Sequence, residues 1–348
     1  MDPASTTPGK KRRGLLEAAR GGDEDAFRRL VEPHRRELNA HCYRMLGSIH
    51  DAEDALQETL LRAWRGLAGF EGRSSLRAWL YRIATNTCLN LIERRPKRVL
   101  PVDYGPAADP HDDQGEPLVE SIWVEPFPSE GIGSEDPLAS PEARYEVRES
   151  VELAFVAALQ HLPARQRAVL ILRDVLGFSA GEVAEALETT PEAVYSALQR
   201  AHKAVEERLP DQSQQETLRS LGDEGLREIV DHYVDAWERN DVEAVAAMLA
   251  DDATLAMPPI PTWFRGREAV AAFLARRPLA GDQSWRILPT RANGQLAFGH
   301  YLLDEEVGAH IAHHVVVLTL EGSRVGEMIA FLLPDVLRHF GLPDEIRQ

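Results

Sequence analysis

Between Asp25 and Arg95 apolar residues return every three or four positions, the spacing that gathers them on one face of a helix. Breaks fall at Gly47 and Ser48 and over Gly69 to Ser75, and Pro96 ends the run. In DAEDALQETLLRAW, Asp51 to Trp64, the residues Ala52, Ala55, Leu56, Thr59, Leu60 and Ala63 form one buried stripe. Leu61 and Trp64 project to the opposite side, beside Asp54, Gln57 and Glu58. A core does not explain a leucine and a tryptophan among carboxylates. In WLYRIATNTCLNLIERR the buried side is Leu80, Ala84, Thr87, Cys88, Leu91 and Ile92. Trp79, Arg82, Asn86 and Asn90 share the other side, preceded by the basic loop FEGRSSLR with Arg73, Ser74 and Arg77. An aromatic ring, amides and cations in that order suit single-stranded DNA, although a solvated face carries the same residues.

Helical spacing resumes from Glu142 to Leu209. Ser179 with Glu182 matches a capping box, and Thr190 with Pro191 marks the N-cap and first position of a second helix. Val194, Leu198, Ala201 and Val205 are its core stripe; Glu192, Ser196, Gln199, Arg200 and Lys203 face outward. This is a helix-turn-helix pattern whose second helix fits a major groove. Val99 to Pro141 has no sustained periodicity and reads as an extended linker. Its one apolar island, Ser121 to Pro128, is either a patch covering a neighbouring domain or a docking element.

Beyond a polar link, Asp211 to Asp223, the period changes. Two helices and a strand, then a third helix, precede strand patterns at Ser284 to Leu288, Gln295 to Leu303, His310 to Leu320 and Val325 to Leu333. Helices followed by an antiparallel sheet predict an α+β domain over 224–348.

Charge changes this picture. The chain of 348 residues carries a net charge of −17, which by itself disfavours a nucleic-acid partner. Yet Arg73 to Arg98 holds seven cations against Glu93 alone, and Val99 to Glu149 is strongly acidic. That asymmetry is functional. Cys42 and Cys88 lie in helical patterns, so no disulfide framework is expected and a reducing cytoplasm fits. No metal motif, apolar membrane span or secretory signal occurs, so no metal, cofactor or membrane partner is expected, and residues 1–24 read as a weakly basic disordered tail ending in a first helical turn.

DAEDALQETLLRAW, FEGRSSLRAWLYRIATNTCLNLIERR and LPARQRAVLILRDVLGFSAGEVAEALETTPEAVYSALQRAHKAV, in that order, resemble the sigma-70 family of RNA polymerase sigma factors, and more narrowly its extracytoplasmic-function (ECF) group. The resemblance implies two all-α sigma domains: region 2 over 25–98 and a region 4 helix-turn-helix over 142–210, joined by the linker 99–141. It implies that Asp54, Gln57, Glu58, Leu61 and Trp64 dock on core RNA polymerase, an apolar anchor rimmed by acid. By the same resemblance Arg73, Ser74, Arg77, Trp79, Arg82, Asn86 and Asn90 hold the −10 element of promoter DNA with a flipped base. Glu192, Ser196, Gln199, Arg200 and Lys203 would read the −35 element, and the acidic linker would thread toward the RNA path of the polymerase. Tyr195, Ala197 and His202 stand where the group commonly has cations, so −35 binding by this module alone is expected to be weak.

The C-terminal segment, with YVDAW, LADDATLAMPP and FRGREAV, resembles the SnoaL-like branch of the nuclear-transport-factor-like superfamily, whose curved sheet encloses a cone-shaped pocket. Asp251, Asp252, His300, His310, His313 and His314 are available for proton transfer, but no pairing of such groups is visible, so no catalysis is expected. The more ordinary reading makes Asp251 and Asp252 caps of the strand entry and the histidines sheet residues. Trp263 and Phe264 lie in a rigid, proline-rich loop and are candidates for a regulatory contact with region 2, region 4 or a ligand. The expected function is an ECF sigma factor that initiates transcription and is modulated by its C-terminal domain, with a small molecule as a possible ligand there. The alternative is a ligand-responsive DNA-binding regulator, or a SnoaL-like enzyme fused to a helix-turn-helix module.

Overall fold

The computed structural model describes residues 8–72, 74–118, 122–129 and 151–347. Helices α1 (Pro8–Arg20), α2 (Glu24–Val31), α3 (Arg35–Leu46), α4 (Ile49–Gly66) and α5 (Leu76–Ile92) come first. A single turn, α6 (Pro101–Tyr104), precedes α7 (Leu153–Gln160), α8 (Ala164–Leu170), α9 (Ala180–Ala186) and α10 (Pro191–Glu206). The remainder is α11 (Gln214–Glu238), α12 (Val242–Met248), β1 (Leu249–Met257), β2 (Ile260–Arg265), α13 (Arg267–Arg276), β3 (Trp285–Ala292), β4 (Gln295–Asp304), β5 (Ala309–Glu321), β6 (Arg324–Phe331) and β7 (Glu345–Arg347). Two compact units result: Met1–Arg95 with Leu162–Lys203, and Pro96–His161 with Ala204–Gln348.

In the first unit serines start the long helices where the sequence breaks. Ser48 Oγ accepts from the Asp51 amide (3.1 Å) and Ser75 Oγ from the Ala78 amide (3.1 Å). Gly47, at φ 70°, ends α3 in the left-handed conformation that glycine adopts without strain. Ala52, Ala55 and Thr59 of α4, Leu80, Ala84 and Cys88 of α5 and Cys42 of α3 are all fully buried among these three packed helices, as their spacing predicts. Both cysteines are free thiols. The segment read as a tail is helical from Pro8 onward, a departure from the sequence reading.

The helix-turn-helix belongs to this unit. The capping box closes as expected: the Ser179 amide donates to Glu182 (2.8 Å) while the Glu182 amide donates to Ser179 Oγ (3.3 Å). The buried Arg167 of α8 donates to the carbonyl of Met45, at the end of α3, and to that of Leu162 (3.3 Å).

The second unit centres on a seven-stranded sheet of order β2-β1-β6-β5-β4-β3, with β7 added to β5. The sheet is mixed, because β1 and β6 run parallel; the expectation of a purely antiparallel sheet is corrected there. Trp263 and Phe264 lie in a strand, β2, instead of a loop. Prolines at its start are tolerated because β2 is the sheet edge, where an absent N–H breaks no ladder. The supposed polar link 211–223 is helical from Gln214, where Ser213 forms a second capping box with Glu216; the helix is interrupted at Gly222 (φ 66°). The Glu152 carboxylate accepts from the amides of Gln214 (3.1 Å) and Gln215 (2.8 Å), which anchors that helix start to α7.

The linker is not free where it is described. Trp123, Val124 and Phe127 of the apolar island are buried; the Phe127 amide donates to Asn293 (2.8 Å). Glu125 is buried against Arg98 (3.5 Å). The island therefore covers the C-terminal domain, one of the two roles its composition allowed. Ser121, the linker residues 130–141 and the predicted helix start at Glu142 lie outside the described residues.

Candidate interfaces and cavity

Helix α4 presents the face its pattern implied. Asp54, Gln57 and Leu61 are exposed, Leu61 at 42%, a high value for a leucine on an ordered helix. Glu58 is partly exposed and pairs with Arg62 (2.6 Å). Trp64 is a correction: it is half-buried and packs on Phe27 of α2, ring centroids 5.1 Å apart. A helical projection finds its side of α4 but not the neighbouring helix that covers it.

On α5 the candidate DNA-binding residues are largely engaged. Trp79 packs on Phe70 (4.9 Å) and is half-buried instead of free-standing. Arg77 donates to Glu37 (3.4 Å) and to the carbonyl of Leu176 (3.4 Å), and its guanidinium lies 4.9 Å from the Tyr81 ring and 4.8 Å from that of Phe178. Arg82 faces Glu188 (3.6 Å). Leu176, Phe178 and Glu188 all come from the helix-turn-helix, so that module sits on the cations of α5. Ser74 and Asn86 are partly exposed and Asn90 is exposed; Arg73 lies outside the described residues.

On α10, Glu192, Ser196, Gln199, Arg200 and Lys203 are all exposed, while Val194, Ala201 and Val205 are buried. Thr190 Oγ1 caps the helix through the Ala193 amide (3.3 Å). His202 bonds Asp174 of its own module.

In the second unit a cavity of about 230 Å³ is lined by residues of the sheet and of the helices beside it. Its wall is mainly apolar, including Trp237, Leu255, Met257, Phe273, Trp285 and Met328. Its polar groups are Gln114, Arg277, Gln283 and two histidines brought in by a bulge in β5. Register slips between His300 and Tyr301, leaving His313 unpaired, so His313 and His314 both line the cavity. Their Nδ1 atoms are 2.8 Å apart, so one ring donates to the other. His314 stacks on His300 (4.4 Å), whose Nε2 is 3.0 Å from the Tyr233 hydroxyl. Burial lowers the His300 pKa to about 3 and pushes His314 well below its ordinary value, so both imidazoles are neutral at pH 7. Strict strand alternation hid this cluster, because it assigns neighbouring residues to opposite faces.

The other C-terminal candidates lie elsewhere. His310 bonds Ser284 (3.1 Å). Asp251 and Asp252 are exposed within β1, and Asp251 pairs with Arg267 (2.6 Å) and Arg324 (3.7 Å). Phe264 is core, stacked on Phe273 (4.6 Å), and Trp263 Nε1 donates to the carbonyl of Gly105 (2.7 Å), a linker residue. Among the described residues no group of three metal-ligating side chains occurs, and no helix is long and apolar enough to cross a membrane.

Comparison with known proteins gives these features a common context. Residues 30–98 match Sigma-70 region 2, residues 152–205 match Sigma-70 region 4, and residues 230–328 match the SnoaL-like domain. The chain is 43% identical to the ECF RNA polymerase sigma factor SigG of Mycobacterium tuberculosis over 329 residues, 94% of this chain and 86% of that protein. It is 28% identical to the ECF RNA polymerase sigma factor SigW of Bacillus subtilis over 56% of this chain and 95% of that one. In fold it is similar to the crystal structure of the Mycobacterium tuberculosis extracytoplasmic function sigma factor SigJ, with a TM-score of 0.54 and 21% identity over 89% of this chain and 97% of that one. Regions 2 and 4 followed by a SnoaL-like domain, with that identity along nearly the whole length, place the chain in the ECF RNA polymerase sigma factors.

Proposed function

We propose that the chain binds core RNA polymerase through Asp54, Gln57, Glu58, Leu61 and the half-buried Trp64, and that in its free form it withholds its promoter-melting face. The observation that carries this is the seating of the helix-turn-helix on Arg77 and Arg82. The −10 and −35 elements lie roughly 25 base pairs apart, about 85 Å of duplex at 3.4 Å per pair. A recognition helix of 16 residues spans only about 24 Å. A module in contact with α5 therefore cannot reach the −35 element while α5 serves the −10 element. Polymerase binding separates the two, after which Arg73, Ser74, Arg77, Trp79, Arg82, Asn86 and Asn90 hold the melted strand and Glu192, Ser196, Gln199, Arg200 and Lys203 read duplex.

The C-terminal domain modulates this cycle by retaining the linker, and Trp263 is the regulatory contact through its bond to Gly105. The SigG relative is named an RNA polymerase sigma factor, which supports a cytoplasmic partner of the same kind here. The test mixes full-length protein with core polymerase and follows co-elution in gel filtration. The native chain co-elutes, and Leu61→Ala, which removes an exposed side chain and leaves the core intact, weakens association by about tenfold. Equal co-elution of the two proteins would remove α4 as the docking face.

A further inference from the structure

The cavity of the C-terminal domain is completed by a residue from the linker. Gln114 lines it, and the backbone on either side is bonded along β2 and its approach. The Ala108 amide donates to the Trp263 carbonyl (2.8 Å), the Thr262 hydroxyl to the Gln114 carbonyl, and the Leu118 amide to the Pro259 carbonyl (2.9 Å). Asp113 faces Arg277 (3.7 Å), itself a lining residue, and His111 bonds Arg276 (2.7 Å). The wall that Gln114 supplies exists only while Gly105 to Leu118 is docked.

The lining specifies a kind of occupant. No carboxylate borders the cavity, and its one cation, Arg277, is half-exposed and already faces Asp113. The histidines are neutral, so apart from Arg277 a charged guest would meet no counter-charge. Gln114, Gln283, His313 and His314 are the neutral polar groups of its wall. Side-chain amides and imidazoles of this kind hydrogen-bond an oxygen on a guest. An apolar cavity of roughly 150 Å³ takes one benzene ring. At about 230 Å³ this one takes two fused rings.

We propose that the cavity binds a small, uncharged, mainly apolar molecule of one or two rings bearing an oxygen, and that the linker segment Gly105 to Leu118 is its gate. The inference rests on the reading that linker retention modulates the factor. A ligand shifts an equilibrium only through its preference between two states, and this ligand contacts Gln114 in the docked state alone. Occupancy therefore holds the linker on the C-terminal domain, and docking raises ligand affinity by the same factor. The ligand acts as a co-repressor.

The test titrates 2-naphthol, a neutral and fluorescent two-ring alcohol, into the full chain and follows amide hydrogen exchange over Gly105 to Leu118. Saturable binding is expected, with slower exchange at the Ala108 and Leu118 amides. Gln114→Ala, which alters only the gate, lowers affinity about three- to tenfold, the loss of a hydrogen bond or its equivalent in contact. Ala330→Phe fills the cavity from β6 and removes binding. Absence of saturable binding to the native chain, unchanged affinity in the Gln114 variant, or faster linker exchange in the bound state would each overturn the inference. Polymerase co-elution of the native and Leu61→Ala proteins is measured without 2-naphthol, so failure here is separable from failure of the docking proposal.

Discussion

Phe178→Leu tests whether the seating of the helix-turn-helix on α5 covers the DNA-binding cations. Leucine preserves a buried apolar side chain, so the module keeps its own packing, but both ring interactions with α5 disappear. Phe178 meets Tyr81 edge-on at 5.4 Å, a geometry worth about 1 kcal/mol. The Arg77 guanidinium stands 4.8 Å from the Phe178 ring, partly shielded from water, for about another 1 kcal/mol. Together they favour the closed arrangement by about 2 kcal/mol, or roughly 30-fold in its equilibrium constant. The apparent affinity of a site open only part of the time is reduced by its open fraction. Anisotropy of a labelled thymidine oligonucleotide of about twelve residues, a sequence-tolerant stacking ligand, should therefore report up to 30-fold tighter binding to Phe178→Leu than to the native chain. Unchanged or weaker binding, with the far-ultraviolet circular dichroism of the variant intact, would refute the idea that the module masks α5.

Two further predictions concern the second unit. Its acid limb should steepen early: in the unfolded chain His300 takes up a proton near its ordinary value of 6.5, whereas in the fold it does so only near 3. Between those values unfolding binds a proton, so stability is full above 6.5 and falls with decreasing pH by up to about 1.4 kcal/mol per unit. Urea midpoints at pH 7, 6 and 5 should converge between the native chain and His300→Gln, which keeps an acceptor for Tyr233, as pH falls; parallel curves would exclude His300 as the titrating group. Glu152→Ala should cost about 3 kcal/mol in urea unfolding, because the Gln214 and Gln215 amides lose a buried carboxylate. Glu152→Gln should recover part of that loss, and an equal loss in both variants would mean that charge, not hydrogen bonding, anchors α11.

Much of the local structure was legible because it depends on near neighbours. The stripe of α4, the caps at Ser179 and Thr190, and the outward set on α10 follow from spacing within one helix, and Ser48 and Ser75, legible only as breaks, are caps as well. What was not legible depends on distant partners. The sequence places Trp64 and Trp79 on outward faces, but Phe27 and Phe70 arrive from other segments and half-cover them. Strand β2 was hidden by prolines that only an edge position tolerates. The histidine cluster required a bulge that inverts alternation after Ala312. The apolar island of the linker was visible as an anomaly, whereas the surface it covers was not.

The acidity of the linker takes on a second meaning from where its carboxylates lie. The resemblance sends this segment toward the RNA path of the polymerase, where negative charge mimics nucleic acid. In the free chain two of the same carboxylates are held by cations of their own unit, Glu125 by Arg98 and Asp113 by Arg277, while Asp103 bonds the imidazole of His161, which itself accepts from Lys97. The exposed pairs contribute little each, but Arg98 and Glu125 are almost fully buried, and separating them without a new partner is costly. A basic channel in polymerase can supply that partner, and solvent supplies a poorer one. In the proposed cycle linker release is thus favoured where polymerase is present, and a molecule that fills the cavity beside Gln114 would raise the threshold for it.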